Sequence, residues 1–240
     1  MYMLGESESW LGEWLEARGI RDELVIATKY TEPWRLPYAE PETAILSNYG
    51  GSNKKSLRLS LEASLKRMRT DYVDILYVHA WEGTSNIPEI MRSLDEVVRS
   101  GKVLYLGVCN WPAWLVSKAN EYARANGLTP FVVYEGRWNA ADREIEREVV
   151  PMCKAEGMGI TVWSALGGGK FKTQAQRSEP GGRAFGVVGT SGDENYGKVF
   201  DALQKVAERH NTTPTSVALR YVTIKVSRFW ARFHFRKEYT

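Results

Sequence analysis

The sequence has little of what would settle its class at once. Its two cysteines in 240 residues, Cys109 and Cys153, sit in apolar runs. That is too few for a disulfide framework, and buried, reduced thiols are expected. No apolar run approaches the about 18 residues that a membrane-spanning helix needs. The start of the chain, Met1-Tyr2-Met3-Leu4-Gly5-Glu6, has no basic segment and no long apolar core, so a secretory signal is not expected. An excess of charge of one sign is lacking too. Thirty-two Lys and Arg stand against 29 Asp and Glu, interspersed, for a net +3, which excludes an overall nucleic-acid footprint. No Gly-x-Gly-x-x-Gly follows the first strand-like run, which argues against a dinucleotide-binding doubly wound sheet. The expectation is a cytoplasmic protein with no membrane and no nucleic-acid partner.

What is present is a regular alternation of helix and strand signals. Glu8–Arg18 carries Trp10, Leu11, Trp14 and Leu15 at helical spacing and stops at Gly19. Asn53–Arg69 places Leu57, Leu61, Leu65 and Met68 on one stripe. Further helices are expected over Ile87–Ser100, Pro112–Asn126, Arg143–Glu156, Tyr196–His210 and Pro214–Val222. Between them lie five strand-like runs: Leu24–Lys29, Val73–His79, Val103–Cys109, Phe131–Tyr134 and Gly159–Trp163. Such βα alternation predicts a parallel sheet covered by helices, closed or open. Tyr30–Gly51 and Gln174–Asn195 read as long loops.

The polar residues at the strand ends carry the chemistry, because a (β/α) barrel presents its active site at the C-terminal ends of its strands. Lys29 ends the first run. A partly desolvated lysine there can lower the pKa of a neighbouring phenol or form a Schiff base; the alternative is a surface lysine just past a strand. His79 ends the second, able to orient a carbonyl or to act as acid or base, or else a satisfied half-buried histidine. Asn110 ends the third, either to hold an amide or to cap the Pro112 helix. Tyr134 and Glu135 open a rim loop whose aromatic ring can stack on a flat ligand. Leu166-Gly167-Gly168-Gly169-Lys170 can expose backbone N–H groups to a phosphate, or simply turn. Nothing local marks Tyr2.

Together, the stretches Tyr2–Trp14, Val25–Thr31, Asp71–His79, Gly101–Val108, Gly136–Asn139 and Trp163–Gly169 resemble the aldo-keto reductase family, in particular its fungal aryl-alcohol dehydrogenase and norsolorinic acid reductase branch. The resemblance runs from Tyr2 to about Val222. It implies a (β/α)8 barrel of aldo-keto reductase type that binds NADPH without a Rossmann domain. It further implies that Tyr2 protonates the carbonyl oxygen, that Lys29 lowers the pKa of that tyrosine and that His79 orients the substrate carbonyl. By the same resemblance Asn110 and Glu135 hold the nicotinamide carboxamide, and Trp163, Ser164, Leu166, Gly168 and Lys170 line the nicotinamide and pyrophosphate. The implied substrate is a small aromatic carbonyl or alcohol of fungal secondary metabolism, with no metal.

The chain departs from that pattern in four places. The family's aspartate, five residues before the tyrosine, falls before residue 1. Glu135 stands where the family has Gln, and Cys109 where many members have Ser. The family's Gly-Gly-Arg-Lys-type adenosine-phosphate motif does not follow Val222. The expectation is therefore an incomplete barrel over residues 1–222, lacking the first two strands and the last. Residues 223–240 are expected to form a divergent basic and aromatic tail, which a frame or splice change explains more simply than nucleic-acid binding. The alternative function is an inactive family member or a cofactor-binding interaction protein.

Overall fold

Glycine stops and asparagine starts set the helix boundaries in the structure, a computed structural model that describes residues 5–33, 45, 47–171 and 193–230. Helix α1 (Glu6–Arg18) ends on Gly19, whose left-handed backbone (φ 65°) lets its N–H donate to Leu15 O at 2.8 Å. Helix α2 (Lys54–Met68) starts where Asn53 accepts from the Ser56 N–H at 2.9 Å. Helix α3 (Ile87–Arg99) starts in the same way at Asn86, with Pro88 in its first turn. The predicted stripe Leu57, Leu61, Leu65 and Met68 is buried, worth about 1.5–3 kcal/mol per side chain. Helices α4 (Ala113–Ala125) and α5 (Val149–Glu156) follow, and α6 (Asp193–Arg209) and α7 (Pro214–Trp230) complete the described helices.

Five strands form one sheet in the order β1-β2-β3-β4-β5: β1 (Ala27–Tyr30), β2 (Val73–Val78), β3 (Val103–Cys109), β4 (Phe131–Arg137) and β5 (Gly159–Trp163). The pairings β1–β2 and β2–β3 are parallel, with Lys29 opposite Tyr77 and Tyr77 opposite Gly107. This is the expected parallel α/β architecture, consistent with part of a (β/α)8 barrel. A Cβ on Gly107 would lie 2.5 Å from the Tyr77 ring, so glycine is what allows that ring to lie across the sheet. Ile75, Tyr77, Cys109 and Val133 pack together there. Both cysteines are buried, as the sequence predicts, and neither is in a disulfide.

Several boundaries differ from expectation. Strand β4 runs on to Arg137, so Glu135 lies on the strand and not in a rim loop. The ladder starts at Ala27 rather than Leu24, because the Ile26 N–H donates to the Asp74 carboxylate at 2.8 Å, beside Arg21. The helix expected from Arg143 is a 3₁₀ turn at Glu144–Glu146 followed by α5 from Val149. Pro151 lacks an N–H and is tolerated only in a first turn. The last helix continues past Val222 to Trp230.

The chain divides into two compact units: Met1–Tyr134 with Glu156–Met158, and Glu135–Ala155 with Gly159–Thr240. In the second, Ala141, Phe171, Tyr196, Leu203 and Ala218 make the core. Helix α7 is tied down by Glu146, which accepts from Tyr221 Oη at 2.6 Å, Lys225 Nζ at 2.7 Å, Arg143 at 2.8 Å and Trp138 Nε1 at 2.9 Å. Burial alone would raise the Glu146 pKa. The four donors outweigh it and hold the carboxyl far below its usual range. A depressed folded-state pKa gives stability that is fully present above the unfolded value of 4.5 and is lost as pH falls through the folded one. The α7 amides should therefore keep their hydrogen-exchange protection through mild acid. Glu146→Gln should speed their exchange at neutral pH by about ten- to a hundredfold, the scale of hydrogen bonds to a charged group. Unchanged exchange in the variant would remove Glu146 as the anchor.

Candidate functional site

In the first unit, Lys29 and His79 line one small pocket at the C-terminal ends of two adjacent parallel strands. Lys29 is only 4% exposed, and its ammonium lies 5.1 Å from the centroid of the Tyr77 ring. The His79 N–H donates to Tyr30 O at 3.0 Å, which locks the two strand ends together. His79 Nδ1 lies 3.4 Å from Glu32 Oε1. Ser60, Ser64 and Arg67 of α2 close the pocket, whose free volume of about 10 Å³ is the size of a single water. Ser60 Oγ is buried and has no hydrogen-bond partner among the described residues.

The pocket is held from behind by a buried ion pair. Arg67 donates to Glu8 at 2.7 Å, and Thr28 Oγ1 donates to the other Glu8 oxygen at 2.5 Å. The backbone between two of the lining residues, Tyr30 and Glu32, is strained. Thr31 has φ 114°, an unfavourable value for a β-branched residue. Its carbonyl accepts from the Gly51 N–H at 2.6 Å, and its hydroxyl lies 3.4 Å from Ser52 Oγ. Ser52 in turn donates to Glu82 at 2.7 Å. Burial opposes the Glu82 charge, but hydrogen bonds from Ser85 and Ser52 win and lower its pKa. Tyr30 is so fully buried that its phenol is pushed far above the ordinary value and stays neutral.

Asn110 follows β3 with a left-handed backbone, φ 56°. It does not cap α4, whose N-cap is Pro112 without a side-chain bond, so that alternative falls. Trp111 beside it is buried edge-on to Trp81 and Phe131, with ring centroids 5.2 and 5.8 Å away. Its carbonyl accepts from Tyr134 Oη at 2.9 Å. Tyr2 lies outside the described residues.

The other predicted residues belong to the second unit. Glu135 is half-buried on β4 and Trp163 ends β5 half-buried. Ser164 has φ 58°, and Gly167, Gly168 and Gly169 have φ 61°, 64° and 88°. The turn closes largely on itself: the Gly167 N–H donates to Ser164 O at 2.8 Å, the Gly169 N–H to Leu166 O at 3.1 Å and the Lys170 N–H to Gly167 O at 3.2 Å, so the simple-turn alternative accounts for these N–H groups. Ser164 Oγ is buried without a partner among the described residues. Leu166 packs on the core of this unit. Lys170 Nζ sits 4.6 Å from the centroid of the Tyr196 ring.

A buried polar network fixes that turn. Asn139 Nδ2 donates to Ser164 O at 3.1 Å and to Asp142 Oδ2 at 3.0 Å, and Tyr196 Oη donates to Asp142 at 2.5 Å. Burial, then the Asp142 bond, push the Tyr196 phenol up to about 12. The Tyr196 ring lies so close that a Cβ on Gly167 would sit 2.5 Å from it. Arg137 Nε lies 3.5 Å from Asp142, with its guanidinium 5.7 Å from the centroid of the Trp163 ring. Sequence reasoning missed Glu8, Arg67, Asp142 and Tyr196. Glu8 had a signal, since it shares the inner face of α1 with Gly12 and Leu15. Tyr196 had none, being 54 residues from Asp142.

The model of the aldo/keto reductase family matches residues 1–229. A norsolorinic acid reductase of Aspergillus flavus is 48% identical over 93% of the chain and 56% of its own length. An aryl-alcohol dehydrogenase of Pestalotiopsis microspora is 47% identical over 93% of the chain and 56% of its own length. An aryl-alcohol dehydrogenase [NADP(+)] of Phanerodontia chrysosporium is 45% identical over 94% of the chain and 60% of its own length. The chain thus spans somewhat over half the length of these relatives. No helix among the described residues is long and apolar enough to cross a membrane. The chain belongs to the aldo/keto reductase family.

Proposed function

We propose that this member of the aldo/keto reductase family catalyses the NADPH-dependent, reversible reduction of an aromatic aldehyde or ketone to the alcohol, in fungal secondary metabolism. The observation that carries the reading is the pairing of a buried lysine with a histidine in one pocket, at the C-terminal ends of adjacent parallel strands. The names of the relatives support the substrate class and the cofactor.

The residues present fit a dinucleotide. The Ser164 hydroxyl, buried without a partner among the described residues, can meet a phosphate oxygen, and Lys170 follows the turn with a positive charge. In this reading Gly168, Leu166, Ser164 and Lys170 hold the pyrophosphate side and Trp163 and Glu135 the nicotinamide side, and Asn110 keeps the carboxamide-holding role that the family resemblance implies. The cofactor supplies the hydride when bound. The chain's own residues manage the proton. The phenol of Tyr2 donates to the carbonyl oxygen as that oxygen gains charge. The Lys29 ammonium stabilises the phenolate left behind, and His79 fixes the direction of the carbonyl lone pair. The localisation that goes with this chemistry is the cytoplasm.

The test is a fluorescence titration of the purified chain with NADPH, following tryptophan quenching, then NADPH consumption with a panel of aryl aldehydes. Saturable quenching with aldehyde-dependent consumption is the expected result. Binding without turnover would favour a cofactor-binding protein on this fold, and the absence of binding by a folded chain would overturn the reading.

A further inference from the structure

We infer that helix α1 is a self-association surface, on which a second copy of the chain docks antiparallel about a two-fold axis level with Gly12. Helix α1 buries Glu8, Gly12 and Leu15. Its outer face carries two large indoles, Trp10 at 64% exposed and Trp14 at 42%. Indoles left in water at helical spacing form an unpartnered apolar stripe.

The occupant follows from the order of residues along that face. Glu6, Trp10, Trp14 and Arg18 stand four apart, so they form one ridge down the helix. Glu6 and Arg18 are exposed at its two ends. The ridge is self-complementary when reversed. Laid antiparallel about the level of residue 12, position 10 meets 14 and position 6 meets 18 of the second copy. Each Glu6 then faces an Arg18, and the four indoles meet in the middle. This is the residue-to-residue reciprocity that an isologous two-fold contact requires.

The neighbouring acids do not compete for Arg18. Glu13 and Glu16 are paired with Arg69 of the same chain. Arg18 already lies along the ridge, its guanidinium 5.8 Å from the centroid of the Trp14 ring. A single helix face buries less than the about 1,200 Å² of a stable interface, so the association is a reversible monomer–dimer equilibrium, weakened by salt.

The experiment is sedimentation equilibrium of the full chain from about 5 µM to about 500 µM, in parallel with three variants. The wild type should show a rising dimer fraction. Glu6→Arg or Arg18→Glu alone places two pairs of like charges across the axis and should raise the dissociation constant about tenfold or more. The double swap Glu6→Arg with Arg18→Glu restores both pairs and should recover most of the affinity, an outcome that a purely structural role for either residue does not give. Far-UV circular dichroism confirms that α1 remains helical in each variant. A wild type that stays monomeric throughout, or a double swap that does not recover, overturns the inference. The result does not depend on whether the chain turns over substrate.

Discussion

Lys29→Met is expected to lower kcat by about 10² to 10⁴, the range that a tuned general acid supplies, while leaving the fold in place. Lys29 is buried at 4% exposure on a short strand, and an ammonium held out of water is costly unless it has work or partners. Methionine has nearly the same length and no charge, and its thioether tolerates an aromatic neighbour such as Tyr77. The loss should therefore appear in turnover rather than in folding. The measurement is steady-state reduction of an aryl aldehyde at saturating NADPH, with the circular dichroism melt as control. Lys29→Arg should not restore the rate, because guanidinium is a planar fork rather than a compact point charge and does not fit a water-sized pocket. Turnover within threefold of wild type in Lys29→Met would remove the lysine from the proposed chemistry.

The strand-end logic that singles out Lys29 is also the part of the fold most legible in the sequence. Apolar runs closed by one polar residue, with glycine punctuation at positions 19, 101, 127 and 157, gave the five strands and the helices between them. Lys29 and His79 were readable because strand direction alone decides which end of a parallel strand faces the site. The supports behind them were not. Arg67 sits among the lysines and arginines that periodicity assigns to the solvent face of α2, yet it turns in to the buried Glu8 carboxylate. Asn139, Asp142 and Tyr196 meet only after the chain has passed through β5 and the glycine turn. A pairing across 54 residues leaves no local trace. Nor did helical spacing say which way Trp10 and Trp14 face. Apolar residues lie on both sides of α1, and only the tight approach at Gly12 settles that Leu15 points in and the indoles point out.

That approach makes Gly12→Ala the substitution with the largest expected cost in stability, about 3 kcal/mol or more. A Cβ at position 12 would lie 2.3 Å from Arg67 O, 2.8 Å from Met68 C and 2.9 Å from Met68 Cα. All three are backbone atoms at the C-terminal end of α2, so no rotamer change can relieve the clash and one helix must move. Because Glu8 is one turn earlier on the same face, the shift also pulls its carboxylate away from Arg67 and Thr28. Arg67 would then lose its bond to the Glu8 carboxylate while staying partly buried, a further cost on top of the clash. The two losses share one cause, so Gly12→Ala and Glu8→Gln should be strongly non-additive in a double-mutant cycle. Gly19→Ala is the control. It has a left-handed backbone but nothing within 4 Å of the added carbon, so it should cost only about 1–2 kcal/mol, the conformational term alone. Urea denaturation of the three variants decides the matter. Equal losses at positions 12 and 19 would mean that backbone conformation, and not the contact between α1 and α2, sets the requirement for glycine.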